Sequence, residues 1–330
     1  MSAASDRTWL VTGGAGFIGS HLVERLLAAG ARVTVLDDLS TGRLENLAAV
    51  REHPALAFER GTVMDRAHVA ALVARADVVA HLAAAVGVQL IVDEPVRTLE
   101  TNIHGTEVVL HECGRRNTPV FLASSSEVYG KGSRCPFRED DDVLLGATTR
   151  SRWSYAASKM VDEFLAISWH RQSGLPVRIG RFFNTVGPRQ VGQYGMVVPR
   201  FVGQALDGGP ITVYGDGRQS RTFGDVHEVV RAVIALMETP ASAGRVYNVG
   251  GVEEVSILDL ARRVRAIVDP AVEIVHVPYE EAYGAGFEDM DRRVPDTTRL
   301  REAVGFAPAR GLDDILRDTV RQMRAERAAS

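Results

Sequence analysis

The sequence predicts an α/β fold, a doubly wound parallel sheet with a smaller mixed α/β region beside it, and three observations carry the prediction. Apolar runs of strand length alternate with helical patterns up to about residue 180. A glycine-rich turn joins the first strand to the first helix. Beyond Arg181 the runs shorten and Gly and Pro become more frequent. Alternating strands and helices imply βαβ units, a parallel sheet and right-handed crossovers.

The first strand is Trp9–Thr12, and Thr12-Gly-Gly-Ala-Gly-Phe-Ile-Gly19 leads from it into the helical pattern at His21. Gly13 permits a tight turn, Gly16 lets backbone approach a pyrophosphate, and Gly19 allows close helix–strand packing, which makes the sheet Rossmann-type. The helix N-terminus then offers unpaired N–H groups and a positive dipole end to phosphates. The second strand, Val33–Asp37, ends at Asp37 and Asp38, about twenty residues past the glycines. A carboxylate there bonds ribose hydroxyls and repels a 2′-phosphate, so the expected cofactor is NAD. Further strands are expected at Leu56–Arg60, Val78–Leu82, Val120–Ser124 and Val177–Gly180. A helix over Val226–Glu238 and a strand over Val246–Val249 are expected to return to the sheet. The resulting division is residues 1–180 plus about 224–250 for the dinucleotide domain, and about 181–223 plus 251–330 for the smaller one.

Tyr155 and Lys159 share one helix face in Trp153-Ser-Tyr-Ala-Ala-Ser-Lys159. An ammonium there favours the phenolate, bringing a phenol that titrates near ~10 toward use as a base. The chain has 36 arginines and only two lysines, Lys131 and Lys159. Lysine persists where a slim ammonium suits a cofactor ribose and a fork-shaped guanidinium does not. Ser124, Ser125, Ser126 and Glu127 close the strand that starts near Val120, and strand ends are where ligands sit in open parallel sheets. A serine hydroxyl at that point relays a proton between substrate and Tyr155.

With 330 residues and 45% hydrophobic content, the chain can bury one large core or two unequal ones. A net charge of −4 argues against a nucleic-acid surface. No apolar run reaches the ~20 residues of a membrane span, and no signal peptide opens the chain. Cys113 and Cys135 are too few and too scattered for a disulfide framework or zinc site. No metal is expected, because no histidine pairs at metal-ligand spacing, and the expected setting is cytoplasmic.

With these motifs in place, the chain resembles the extended short-chain dehydrogenase/reductase family, in particular its nucleotide-sugar epimerases, dehydratases and decarboxylases. The resemblance runs through His81-Leu-Ala-Ala-Ala, Thr101-Asn102-Ile-His-Gly-Thr, Ser124-Ser125-Ser126, Tyr155/Lys159, Arg181-Phe-Phe-Asn184-Thr-Val-Gly-Pro-Arg189 and Ile211 to Arg221, and ends at Asn248-Val-Gly. It implies oxidation of a sugar C4 hydroxyl by Tyr155, Lys159, Ser125, Ser126 and Glu127. It adds Phe17, Ile18, Ala83 and Asn102 to Gly13, Gly16, Gly19, Asp37, Asp38, Tyr155 and Lys159 as cofactor contacts. Substrate contacts are implied at Asn184, Arg189, Val198, Phe201, Tyr214, Arg221, Arg292 and Arg293. Where the family often has Gly-Asp before the adenine pocket, this chain has Gly61-Thr62. A homodimer acting on a UDP-sugar is the implied state.

The expected reaction is 4-epimerisation through a transient 4-keto sugar, with UDP-glucuronate first and UDP-glucose next. The alternative is UDP-glucuronate decarboxylation; a 4,6-dehydratase or a non-catalytic dinucleotide sensor ranks lower. Ser125-Ser126-Glu127 stands where dehydratases of the family generally show Thr-Asp-Glu. Glu127 and the Arg152-Trp-Ser-Tyr155 context resemble the decarboxylases, while Arg189 is the expected bidentate clamp for a C6 carboxylate. A 4-keto hexuronate is a β-keto acid. A clamp holding the C5–carboxylate bond near the ketone plane protects it for epimerisation, and a looser site loses carbon dioxide.

Overall fold

The computed structural model describes residues 6–87, 94–192, 196–278, 280–281 and 290–329. Seven parallel strands form the main sheet: β1 (Thr8–Thr12), β2 (Arg32–Asp37), β3 (Leu56–Arg60), β4 (Val78–His81), β5 (Val120–Ser125), β6 (Val177–Phe182) and β11 (Arg245–Val249). Their spatial order is β11-β6-β5-β4-β1-β2-β3, so the direction of winding reverses between β1 and β4. Crevices at such switch points, outside the carboxyl ends of the strands, receive the ligand in open α/β sheets.

Successive residues of each strand point to opposite faces, so one strand feeds two cores. Trp9 and Val11 pack with α1 (Phe17–Ala28) and α6 (Val226–Glu238) on one face, through Leu22, Leu26, Val229 and Leu236. Leu10 joins the other face with α2 (Arg66–Val73), α3 (Pro95–Arg116) and α4 (Ser154–Ser173), among them Val69, Val109 and Ala166. Local sequence fixes several helix ends. Asp225 caps α6 by accepting from the His227 and Glu228 N–H groups, and α4 stops at Gly174 in the left-handed region.

A third core gathers α5 (Val197–Leu206), α7 (Ile257–Val268) and α9 (Leu312–Ala329) with β8 (Ile211–Tyr214), through Phe201, Val213, Leu260 and Leu316. Around it lie short sheets: β7 (Thr185–Val186) beside β10 (Gly224–Asp225), β8 beside β13 (Ile274–Val277), and β9 (Ser220–Thr222) between β12 (Glu254–Ser256) and β14 (Arg292–Arg293). Most of the stretch from 251 onward stays with this core, but one part leaves it. Leu300 of α8 (Thr298–Val304) and Phe306 pack into the first core instead, against the sheet. No helix among the described residues is long and apolar enough to cross a membrane.

Candidate active site

One cavity of about 450 Å³ runs from the β1–α1 turn, across the ends of β4 and β5, to the third core. Its first half is built from backbone. Gly13 sits at φ +70°, and a Cβ there would lie 2.7 Å from the Ala83 backbone nitrogen, so the turn and β4 approach as closely as only glycine allows. The N-cap residue of α1 is Gly16, with no side-chain cap and no acid in the first turn. The first N–H groups of α1 therefore face the cavity without internal partners, beside Phe17, Ile18 and Gly19.

Asp37, at the carboxyl end of β2, accepts from the Ala15 N–H at 2.9 Å and the Leu39 N–H at 2.9 Å, and Asp38 lines the same wall. Burial raises the Asp37 pKa and the two N–H donors oppose it. Thr62 also lines this end, its hydroxyl accepting from the Met64 N–H. Ala83 contributes wall directly, whereas Asn102 lies behind it, clasping Ala85 through both its amide groups and donating to Ser158. An uncapped helix N-terminus, a side-chain-free turn and a carboxylate at the next strand end fit a dinucleotide.

The second half is built from charged side chains. Ser125 ends β5; its hydroxyl accepts from the Glu127 N–H and is bonded to the Tyr155 phenol. Burial raises the Tyr155 pKa first, the Glu127 anion raises it further, and the Ser125 hydrogen bond works against both. Lys159, one turn along α4, is almost fully buried and lines the cavity. Ser126 begins the turn after β5 and is buried at the cavity wall.

Glu127 is gripped by two guanidinium groups, Arg152 at 2.6 Å and Arg293. Burial alone would push its carboxyl up; the two arginines outweigh that and hold it at about 2. Arg293 also donates to the Asn184 side-chain oxygen at 2.6 Å, and Asn184 donates to the Thr222 carbonyl. Arg221 lines the cavity with its guanidinium donating to backbone carbonyls of Ser220 and Asp291. At the far end Val198 and Tyr214 line the wall, with the Arg200 guanidinium 4.0 Å above the Tyr214 ring.

Three expected substrate contacts lie elsewhere. Arg189, at φ +71°, donates to Glu24 at 2.5 Å and Ser20 at 3.2 Å of α1, outside the cavity lining, so its guanidinium joins the two regions instead of reaching into the site. Arg292 pairs with Glu254 at 2.6 Å on the exposed face of β14. Phe201 is fully buried in the third core. The site-lining arginines that sequence reasoning did not assign are Arg97, Arg152 and Arg200. Arg152 was legible in principle, because it precedes Tyr155 by three residues and so shares its side of the helix start. His81 is buried between the hydroxyls of Thr12 and Thr106. No trio of His, Cys, Asp or Glu among the described residues is arranged to hold a metal.

Several known proteins are similar to this chain. A UDP-N-acetyl-alpha-D-glucosaminuronate decarboxylase of Bacillus cytotoxicus is 41% identical over 96% of this chain and 97% of its own length. UDP-glucuronic acid decarboxylase 1 of Arabidopsis thaliana is 35% identical, over 96% of this chain and 69% of its own. Among solved structures, the UDP-N-acetylglucosamine 4-epimerase from Methanobrevibacter ruminantium in complex with UDP-N-acetylmuramic acid superposes with a TM-score of 0.88 at 32% identity, covering 98% of this chain and 99% of that one. The sequence model of the NAD dependent epimerase/dehydratase family matches residues 9–250, and the chain belongs to that family, with NAD as its cofactor.

Proposed function

We propose that the chain is an NAD-dependent decarboxylase of a UDP-linked hexuronate, with UDP-N-acetylglucosaminuronate and UDP-glucuronate the first substrates to try. The observation that carries the reading is the Glu127 carboxylate, held ionised between Arg152 and Arg293 in the wall that also presents Tyr155. Epimerisation of a 4-keto hexuronate needs a clamp that keeps the C5–carboxylate bond near the ketone plane. The residue expected to supply it, Arg189, is bound to Glu24 and Ser20 instead. Glu127 with Arg152 and Arg293 carries one net positive charge, which favours an acidic sugar over a neutral one beside it. The relatives at 41% and 35% identity carry decarboxylase names, which supports the same choice.

NAD, when bound, accepts a hydride from the sugar C4 and can return it. Tyr155 takes the C4 hydroxyl proton, with Ser125 bonded to its phenol to share that proton. Against burial and the Glu127 anion, the Arg293 guanidinium favours the phenolate, and the Lys159 ammonium, one turn away, is assigned the same task. When the C5–carboxylate bond breaks, its electron pair spreads to the C4 oxygen, where protonated Tyr155 donates a hydrogen bond. C5 then takes a proton from water in place of the carbon dioxide lost. Glu127 stays anionic at neutral pH and serves as a fixed charge and hydroxyl acceptor, not as an acid. Arg221 is assigned to the diphosphate, and the Arg200–Tyr214 pair with Val198 to the base.

The test is incubation of purified protein and NAD with each UDP-hexuronate, read by product mass and proton NMR. Loss of carbon dioxide is expected. An unchanged mass with an inverted C4 coupling would make the protein an epimerase and overturn the proposal. Turnover of UDP-glucose alone would remove the acidic sugar.

A further inference from the structure

Behind Lys159 lies a line of buried polar groups outside the cavity lining. Lys159 Nζ donates to Asp162 Oδ2 at 3.2 Å, and Asp162 is fully buried. Burial raises the pKa of this carboxyl, Lys159 and then the Thr106 hydroxyl of α3 oppose the rise, and Asp162 Oδ1 has no hydrogen-bond partner among the described residues. Thr106 in turn lies 3.1 Å from His81 Nε2, and His81 Nδ1 lies 2.7 Å from the Thr12 hydroxyl. Thr12 accepts from the Ala83 N–H at 3.3 Å.

Whichever ring nitrogen carries the proton, His81 bridges the Thr12 and Thr106 hydroxyls, and burial holds it neutral with its pKa pushed down to about 3. Thr106 therefore stands beside the Asp162 carboxylate in a position fixed by an uncharged partner.

From this geometry we propose that Asp162 is a positioning residue that keeps Lys159 charged and aimed at the cofactor, with Thr106 and His81 as its support. An ammonium as buried as Lys159 tends to lose its proton unless a counter-charge stands beside it. Asp162 supplies that charge and uses one of three donors, leaving two for the cavity. The charged and titratable groups facing this pair are Tyr155 and Glu163 on α4, His81 on β4 and Glu127 after β5; α3 presents the uncharged Asn102 and Thr106. The inference rests on the assignment of Tyr155 and Lys159 to catalysis.

Asp162→Asn keeps the shape and removes the charge. Without the counter-charge the buried ammonium is disfavoured, so kcat should fall by about tenfold or more as pH rises from 6.5 to 8.5, and recover toward the parent value at the lower pH. NAD affinity, measured by calorimetry on the protein without sugar, should weaken over the same range in the variant and not in the parent. Thr106→Val should shift the same limb by a smaller amount and serves if Asp162→Asn does not fold. An equal loss at every pH, or NAD affinity that tracks the parent, would overturn the proposal. Because NAD affinity does not depend on the sugar, a failure of the decarboxylase reading would show separately, as no carbon dioxide released by the parent at any pH.

Discussion

The two halves of the cavity are made in different ways. The cofactor half comes mainly from one contiguous stretch, residues 12–38, closed by Thr62 and Ala83, and its recognition groups are mostly backbone: a turn at φ +70°, an uncapped helix start and a strand end. The sugar half assembles Glu127, Arg152, Asn184 and Arg293 from four separate segments and holds them by charge. Backbone recognition tolerates little change, because a side chain added at Gly13 strikes the Leu82–Ala83 backbone just after β4. Charge recognition can be rewired by single substitutions. That difference gives a physical reason for one family to keep a single cofactor and run several reactions on sugars.

The sharpest way to separate the halves is Tyr155→Phe. It removes the proton acceptor and no cofactor-cradle group, so turnover should fall by ~10²–10⁴ or more, with NAD affinity nearly unchanged. Loss of NAD binding in calorimetry would mean that the two halves are not independent.

Glu127→Gln should have the next largest effect, lowering kcat by roughly 10–10². The Glu127 anion raises the Tyr155 pKa, so removing it should move the acid limb of the kcat/KM profile to lower pH. A limb that stays in place would break the proposed coupling. The same carboxyl leaves a stability signature. Its pKa is depressed from 4.5 to about 2, so its ion pairs stabilise the fold fully above pH 4.5 and lose that contribution as pH falls toward 2. The shift corresponds to about 3 kcal/mol, and urea titrations of Glu127→Gln should show a flatter acid dependence than the parent.

These contrasts also explain what the sequence disclosed. Gly13, Gly16, Asp37 and the Tyr155/Lys159 pair follow from local spacing, because a turn, a strand end and a helix face each constrain neighbouring residues. The seven-stranded parallel sheet was legible for the same reason. Arg189 was misplaced because sequence gives position along the chain and not direction: a left-handed residue after Gly187-Pro188 turns its guanidinium back to α1. Leu300 and Phe306 return to the first core through tertiary packing that no local pattern announces.

Arg189→Ala tests that correction. The pair with Glu24 is partly exposed, so about 1 kcal/mol or less is at stake, or about 2 °C in Tm. KM should change equally for an acidic and a neutral UDP-sugar. A selective loss of the acidic one would restore the clamp.

The smallest effect should come from Arg292, and its value lies in its neighbour. Arg292 and Arg293 are consecutive on β14, so their side chains leave opposite faces of the strand. Arg292 goes outward to Glu254, while Arg293 enters the cavity to Glu127 and Asn184. Arg292→Ala should leave kcat and KM within about twofold of the parent, because an exposed ion pair contributes little. Arg293→Ala leaves the buried Glu127 with one partner fewer, and kcat/KM should fall by roughly 10². Similar losses in both variants would mean that the pair acts together on the diphosphate, and the assignment of Arg293 to the Glu127 charge cluster would fail.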